Sequence, residues 1–588
     1  MTTKRVKIDP VIVAVIERRL YGIVTQVAES LVRTSMSPIF AEARDIGAGI
    51  FDRDMRLIAL QEYLPAVAGS IIPSGREIAR HWKGEIREGD IFAHNDVWSG
   101  NSHQPDITVA KPVFYKGDLL FWAITKGHHA DIGGRGLVGY DPTSRTCWDD
   151  GLMLKPVKLY DGGIYQRSVW DIITYQSKLP VLMENDLHCQ CGGCTVGERL
   201  LKGLLDEYGV ETVYAAIEEI MSATERETRG WIEQIPDGVY YGEKQFDHDA
   251  WDRTKPVTVR VKVTKKGKDL FFDFSDSDPN TAGYMNCSWG NAFCDTFMAL
   301  RFFLPGEIRA DDGIIRCMDF KTKKGTCIDP DFPHAVTMDT CTFTETIFEA
   351  IMLALAPAKP EWATAAHGKM SLHITQGWNP RTSRPFAIID FVTCANGSGA
   401  TEGYDGWPQG GPTHCCGKLR SPDPEIMELV TPQIVWQNEL TGGREGIGKW
   451  RGGVGGIYKV QYTADNPAVE VGQGHKPWAV PYGLFGGGNA VPNAPRVRHN
   501  DGTVTPIDIN TFWDIHAGDL YEQEMQGGAG YGDPLDRDPD LVRKDVEDEF
   551  LTVEKAKEDY GVFLNPHTLQ ADLEATAEER TRRRIRKK

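Results

Sequence analysis

Residues 94–134, HNDVWSGNSHQPDITVAKPVFYKGDLLFWAITKGHHADIGG, constrain this chain more than any other stretch. Two apolar runs, 107–114 and 119–125, flank Lys116-Gly117-Asp118. β-rich runs on either side of a Gly-containing turn predict a hairpin. His103-Gln104-Pro105-Asp106 straddles the start of the first run, and His128-His129-Ala130-Asp131 follows the second. A hairpin brings the start of its first strand and the end of its second to one end of the sheet. The two His/Asp clusters, far apart in sequence, should therefore meet in space.

These residue types point to a divalent metal. Two imidazoles with one or two carboxylates suit Zn, Mn or Fe, leaving a position open for water. A lone His-x-x-Asp is more often a hydrogen-bonded pair, but two clusters at one hairpin end bring ligation by His103, Asp106 and His128 level with that reading. His129 and Asp131 compete as ligands. Alternation along a strand sends His128 and His129 to opposite faces, so only one of them faces the site.

A chain of 588 residues is too long for one ordinary core and predicts several domains. With 41% hydrophobic and 25% charged residues it reads as globular. No apolar run is long enough for a spanning helix. The start, MTTKRVKIDPVIVAVIERRL, has its apolar run broken by Glu and Arg and lacks a small-residue cleavage site, so a cytoplasmic protein is expected. A net charge of −18 argues against nucleic-acid binding. The 12 cysteines are too few for a disulfide scaffold in so long a chain and read as thiols.

Asp9 as N-cap and Pro10 at N1 open a long amphipathic helix. Val13, Ile16, Leu20, Ile23 or Val24, Val27 and Leu31 keep helical spacing, and Ser37-Pro38 ends it. Residues 46–51 and 57–60 predict a second hairpin, preceded by Asp45, which by local sequence alone is a solvated turn carboxylate. Helices are expected at 71–82, 187–208, 210–234, 292–303 and 343–356. Strands are expected at 239–246, 257–264, 269–274 and 386–394, with irregular chain from 134 to 157. From about residue 397 glycine recurs without a fixed period, which predicts short strands on Gly turns. Residues 538–560 read as a charged helix and EERTRRRIRKK as a basic tail, frayed or docked on acidic groups. The fold class is α+β: a large, β-rich, multi-layer protein with a long N-terminal helix and a Gly-rich β C-terminal part. The expected divisions are 1–185, 186–395, 396–536 and 537–588.

Three other motifs compete for attention. Cys189, Cys191 and Cys194 have metal-like spacing, but His188 is badly placed as a fourth ligand, and the alternative is that they replace small apolar residues. Cys415-Cys416 beside His414 reads as structural. Gly443–Lys449 matches the first part of a P-loop, yet Trp450 stands where Ser or Thr should meet Mg²⁺, so no nucleotide site is expected in this chain.

The run GNSHQPDITVAKPVFYKGDLLFWAITKGHHADIGG resembles the hydantoinase B/5-oxoprolinase family. So do residues 9–59, GLMLKPVKLYDGG, VGERLL, GIGKWRGGVGG and GGAGYGDPLDRDP; the likeness spans roughly residues 9–545. The resemblance implies a B-type subunit paired with an A-type subunit that binds ATP and Mg²⁺ on an actin-like kinase fold, in an (αβ)2 or larger complex. It implies metal ligands at Asp45, His103, Asp106 and His128, which recruits Asp45, and leaves His129 and Asp131 as catalytic or supporting residues. The implied activity is ATP-dependent opening of a hydantoin, oxoproline or lactam ring. Ketone carboxylation with bicarbonate is the alternative, and a non-catalytic scaffold is a third reading. The chain length favours the amide-hydrolysing branch. The segment 64–69 lacks the His that this family more often carries there, and the family more often has small or apolar residues around 189–194.

Overall fold

The computed structural model describes residues 8–418 and 420–587. The charged start at residues 1–7 and the last lysine lie outside the described residues. Two compact units are present. The first comprises Met1–Lys244, His248–Ala358 and Pro385–Ile389; the second comprises Gln245–Asp247, Lys359–Arg384 and Asp390–Lys588. The mixture of helices and several sheets agrees with the expected α+β class.

The first unit is built on a seven-stranded antiparallel sheet. Its strands are β1 (Ile46–Asp52), β2 (Leu57–Glu62), β3 (Ile91–His94), β4 (Asp106–Tyr115), β5 (Asp118–His128), β6 (Val157–Asp161) and β7 (Ile164–Tyr165). They run in the order β2-β1-β5-β4-β3-β6-β7. The expected hairpin is β4–β5. Lys116 and Gly117 both have positive φ (52° and 92°), which matches the right-handed twist of the flanking strands. The register sets Asp106 opposite His128.

Each face of this hairpin has its own partner. Ile107, Val109, Val113, Phe121 and Ala123 share one face and one apolar core with the long helices. The N-terminal helix, Pro10–Thr34, buries Ile16, Leu20, Ile23, Val24, Val27, Ala28 and Leu31 there, with Asp9 capping it through Val11 N. Full burial of one such aliphatic side chain contributes about 1.5–3 kcal/mol. The helices Pro180–Tyr208 and Val210–Ile232 complete this layer. Asp106, Thr108, Lys126 and His128 point to the other face.

Some boundaries differ from expectation. The helix expected from residue 187 begins at Pro180, so the boundary at 185/186 falls inside it. Pro at N1 is a start signal, but the apolar spacing weakens across the Cys-Gly run and hides the first turns. A helix at Arg167–Gln176 follows β7, in a stretch where no helix was expected. Residues 386–394 divide into a strand, Arg384–Asp390, and a 3₁₀ turn, Phe391–Cys394.

The second unit is a Gly-rich β structure. One five-stranded antiparallel sheet runs in the order Gln433–Thr441, Gly455–Tyr462, Leu520–Met525, Ala494–Arg498, Val504–Pro506. In another, Ser371–Asn379, Asn466–Gly472 and Thr511–Ile515 pair in that order. The Gly-rich runs pass so close that a Cβ on Gly528 would lie 1.8 Å from the Ser398 carbonyl oxygen. Residues 538–560 form two helices, Pro539–Glu547 and Val553–Tyr560, rather than one. The basic tail is helical from Leu573 and docked: Arg583 donates to the Lys557 and Glu558 carbonyls, and Arg580 to that of Tyr560.

Candidate metal centre

The end of the β4–β5 hairpin gathers three ligand-type atoms. His103 Nε2 lies 2.9 Å from Asp106 Oδ1 and 3.0 Å from His128 Nδ1, and His128 Nδ1 lies 3.2 Å from Asp106 Oδ1. All three residues are buried, and theirs is the one such group of ligand atoms found among the described residues. His103 enters from the turn before β4, and Asp106 and His128 face each other across the ladder. The sequence placed them together for this reason.

The hydrogen-bond pattern shows what the cluster lacks. His103 Nδ1 lies 2.7 Å from the Thr337 carbonyl, an acceptor, so Nδ1 carries the proton. In the neutral ring Nε2 then presents a lone pair to the Asp106 carboxylate. Two acceptors at 2.9 Å repel unless a cation lies between them. Ligand atoms about 2.0–2.1 Å from a metal ion stand about 2.9–3.4 Å apart across octahedral or tetrahedral edges. The measured edges fit that range.

Asp45 closes the β1 side. Its carbonyl accepts from His128 N at 3.1 Å, extending the β1–β5 ladder past Ile46. The carboxyl is buried, Oδ1 has no partner, and burial pushes it up to about 7 against the pull of His128. His128 Nε2 is also buried and unpaired. The Asp45 carboxyl is not among the ligand atoms that lie within 4.8 Å of one another, so the structure brings together three of the four expected ligands. The donor set therefore fits a divalent metal.

His129 and Asp131 are held elsewhere. His129 lies on the helix side of the sheet, as alternation requires. Its Nε2 is 2.9 Å from Gln190 Oε1, its ring stands edge-on to Phe40, and burial lowers it to about 4. Gln190 Nε2 donates to the Ile107 carbonyl, so this pair ties strand to helix. Asp131 accepts from Lys178 Nζ at 2.6 Å and from Ser177 Oγ at 3.0 Å. Neither joins the three-atom cluster.

Several residues escaped the sequence reading. Residues 337–341 arrive from more than 200 positions away and cover the imidazoles. Thr340 Oγ1 stands 3.3 Å from both His103 nitrogens, and Asp339 Oδ1 3.9 Å from Nδ1. Asp339 Oδ2 is buried without a partner, at the start of a π-type turn, Asp339–Phe343. Tyr140 stacks on His128 at 5.9 Å, and its hydroxyl meets Cys341 Sγ at 3.2 Å. The only local signal was a polar run, TMDTCTFT, ahead of an apolar helix.

The competing motifs dissolve. Cys189, Cys191 and Cys194 are buried along one helix. Cys191 and Cys194 join the apolar core, where burial raises both thiols. His188 stacks on Trp170 at 4.2 Å. Residues 443–449 form turns, with no strand-to-helix transition as a P-loop needs. Among the described residues no helix is long and apolar enough to cross a membrane.

Comparison with known proteins extends this geometry. A family model described as hydantoinase B/oxoprolinase matches residues 9–534. The caprolactamase subunit beta of Pseudomonas jessenii is 32% identical over 564 residues, covering 95% of this chain and 97% of that protein. The crystal structure of the ATP-dependent caprolactamase from the same organism superposes with a TM-score of 0.90 at 31% identity, covering 98% of this chain and 100% of the matched one. A nucleotide-free acetone carboxylase structure shares the fold, with a TM-score of 0.89 at 20% identity over 98% of this chain and 83% of that one.

Proposed function

The chain belongs to the hydantoinase B/oxoprolinase family, and from that premise we propose that it is the metal-carrying subunit of an ATP-dependent enzyme that opens a cyclic amide of lactam, hydantoin or oxoproline type. The observation that carries this reading is the convergence of His103 Nε2, Asp106 Oδ1 and His128 Nδ1 on one buried point. Asp45 would complete the ligand set for Zn, Mn or Fe. When bound, such an ion supplies a Lewis acid and a water of lowered pKa.

A separate ATP-binding subunit of A type, with an actin-like kinase fold, phosphorylates the amide oxygen. This chain receives the activated carbon: water adds there, the ring C–N bond breaks with the nitrogen taking a proton, and a second water releases phosphate from the acyl phosphate left behind. The balance is one ATP, two waters and the ring in, and ADP, phosphate and the ring-opened acid out. Opening an unstrained amide ring is uphill enough to give ATP a purpose.

The chain's own residues prepare that step. The Thr337 carbonyl keeps the His103 Nε2 lone pair directed at the ligand point. Ser102 Oγ occupies Asp106 Oδ2 at 2.6 Å and leaves Oδ1 for the same point. Tyr140 covers both imidazoles and limits water to the open side. His129 and Asp131 serve as anchors of the strand end, through Gln190 and Lys178.

The test is ATP-dependent ring opening by the purified complex on a panel of lactams, hydantoins and 5-oxoproline, with labelled bicarbonate present. Ring-opened amino acid without retained label, lost on chelation and restored by metal, is expected. An acid-stable carboxylated product, or turnover indifferent to chelation, contradicts the reading.

A further inference from the structure

Lys126 lies one row behind the ligand pair. The β4–β5 register sets Thr108 opposite Lys126 and Asp106 opposite His128, and the two-residue step keeps all four on one face. The ammonium is fully buried. It has three donors and no acceptor. Its hydrogen-bond partners are two neutral side chains, Ser70 Oγ at 2.7 Å and Asn101 Oδ1 at 2.9 Å. A buried charge with neutral partners is costly, and an apolar residue of similar length would fill the space at lower cost. The position therefore asks for a reason.

Both partners lead to Asp106. Asn101 is the stronger route. Its Nδ2 lies 2.9 Å from the His103 carbonyl and 3.0 Å from the Asp106 carbonyl, clamping the two ends of the ligand turn. An amide has two orientations, and the wrong one would set Oδ1 against those carbonyls. The ammonium on Oδ1, with Ser74 Oγ beside it at 3.1 Å, selects the right one. The second route is longer. Ser70 Oγ, which also lies 2.9 Å from the Val67 carbonyl, stands 3.4 Å from Ser102 Oγ. Ser102 Oγ in turn donates to Asp106 Oδ2. One route fixes the backbone of the His103–Asp106 turn and the other fixes which carboxylate oxygen is left for the metal.

We propose that Lys126 is the positioning residue of this metal turn: it orients Asn101 and the Ser70–Ser102 pair, and through them the backbone and carboxylate of Asp106. The inference rests on the metal reading above. It predicts that charge at position 126 acts on the ligand set without touching substrate or ion.

The test compares the full chain with Lys126→Met and Ser102→Ala by chelator competition for Zn²⁺, by the visible absorption of the Co²⁺ form, and by amide hydrogen exchange of residues 101–108 in metal-free protein. Lys126→Met should bind Zn²⁺ about 10–100-fold more weakly, as losses of groups that orient ligands do. Its Co²⁺ spectrum should change, and residues 101–108 should exchange faster even without metal. Ser102→Ala should weaken Zn²⁺ binding less, and the double variant should lose less than the two effects added, because both lie on one network. A folded Lys126→Met with unchanged affinity, spectrum and exchange overturns the proposal. If Lys126→Met fails to fold, a Ser102→Ala with an unchanged Co²⁺ spectrum overturns it instead. A wild-type chain that binds no metal refutes the metal reading, while exchange in the metal-free protein still decides the positioning role.

Discussion

His103 and Arg537 are equally buried, each 1% exposed, and each lies among aspartates, yet their surroundings are opposite in kind. Around Arg537 every carboxylate oxygen has a guanidinium donor, and only Arg537 Nε is left without a partner. The guanidinium donates to Asp405 Oδ1 at 2.7 Å, to Asp405 Oδ2 at 2.8 Å and to Asp545 Oδ2 at 2.7 Å. Arg451 donates to Asp545 Oδ1 at 2.8 Å. Four carboxylate oxygens thus meet two fixed guanidinium forks, and the helix Pro539–Glu547 is tied to the Gly-rich segments. Around His103 the acceptors outnumber the donors. Asp106 Oδ1 and the His103 Nε2 lone pair face each other, and Asp45 Oδ1, Asp339 Oδ2 and His128 Nε2 are unpaired. Burial alone does not separate structure from function. The acceptors tell them apart: the carboxylates that have donors hold the chain, and the acceptors without donors form the candidate metal centre.

The largest effect expected is on the unsatisfied side. Asp106→Ala should cost activity of the complex more than about 100-fold, beyond the range seen for groups that only orient ligands. The same change should leave the metal-free protein as stable as wild type or more so, because it removes a repelling acceptor. Chemical unfolding of chelated samples checks this. A loss of several kcal/mol in the absence of metal would erase the contrast with Arg537.

Arg537→Met should do the reverse. It takes both guanidinium bonds from the half-buried Asp405 and leaves the buried Asp545 with Arg451 alone, and should destabilise the second unit by up to about 3–5 kcal/mol. Metal content of the folded fraction should not change. Urea denaturation with metal analysis of the folded fraction measures both.

Asp186 is the intermediate case. Oδ1 accepts from Ser35 Oγ at 2.7 Å, but Oδ2 is buried and unpaired, and burial pushes the carboxyl up to about 7. A raised acid pKa means the native state holds its proton more tightly than the unfolded chain. This contribution is therefore full below about pH 4 and falls away as pH rises to about 7. Asp186→Asn should flatten the stability curve across that window, by up to about 4 kcal/mol between its ends. Unfolding at a series of pH values tests the sign; an unchanged slope would show that Asp186 titrates alike in both states.

The smallest effect belongs to the decoy. Cys189→Ala should shift stability by no more than about 1 kcal/mol and leave metal content unchanged, because Cys189 ligates nothing and sits on a helix. A fall in bound metal would revive the cysteine cluster as a site.

How far the sequence was legible follows from range. The β4–β5 hairpin, its ligands and the N-terminal helix were readable because turn chemistry, alternation and capping act over a few residues. Alternation showed that only one of His128 and His129 faces the site, and the family resemblance named His128. Asp45 was recruited only through the family resemblance, since nothing local separates it from a solvated turn carboxylate. Thr337, Asp339 and Thr340 were illegible because contacts across hundreds of residues leave no local pattern. The same holds for Asp405 and Arg537, which pair across a Gly-rich segment with no fixed period. Lys126 lies just past the second apolar run and drew no reading; only the register placed its ammonium behind Asp106.

The most direct measurement is metal content by mass spectrometry of the purified chain after reconstitution and desalting, for wild type and Asp106→Ala side by side. The account predicts one divalent ion per wild-type chain and close to none in the variant. Equal metal in both, or a metal-free wild type that supports full activity in the complex, would contradict it.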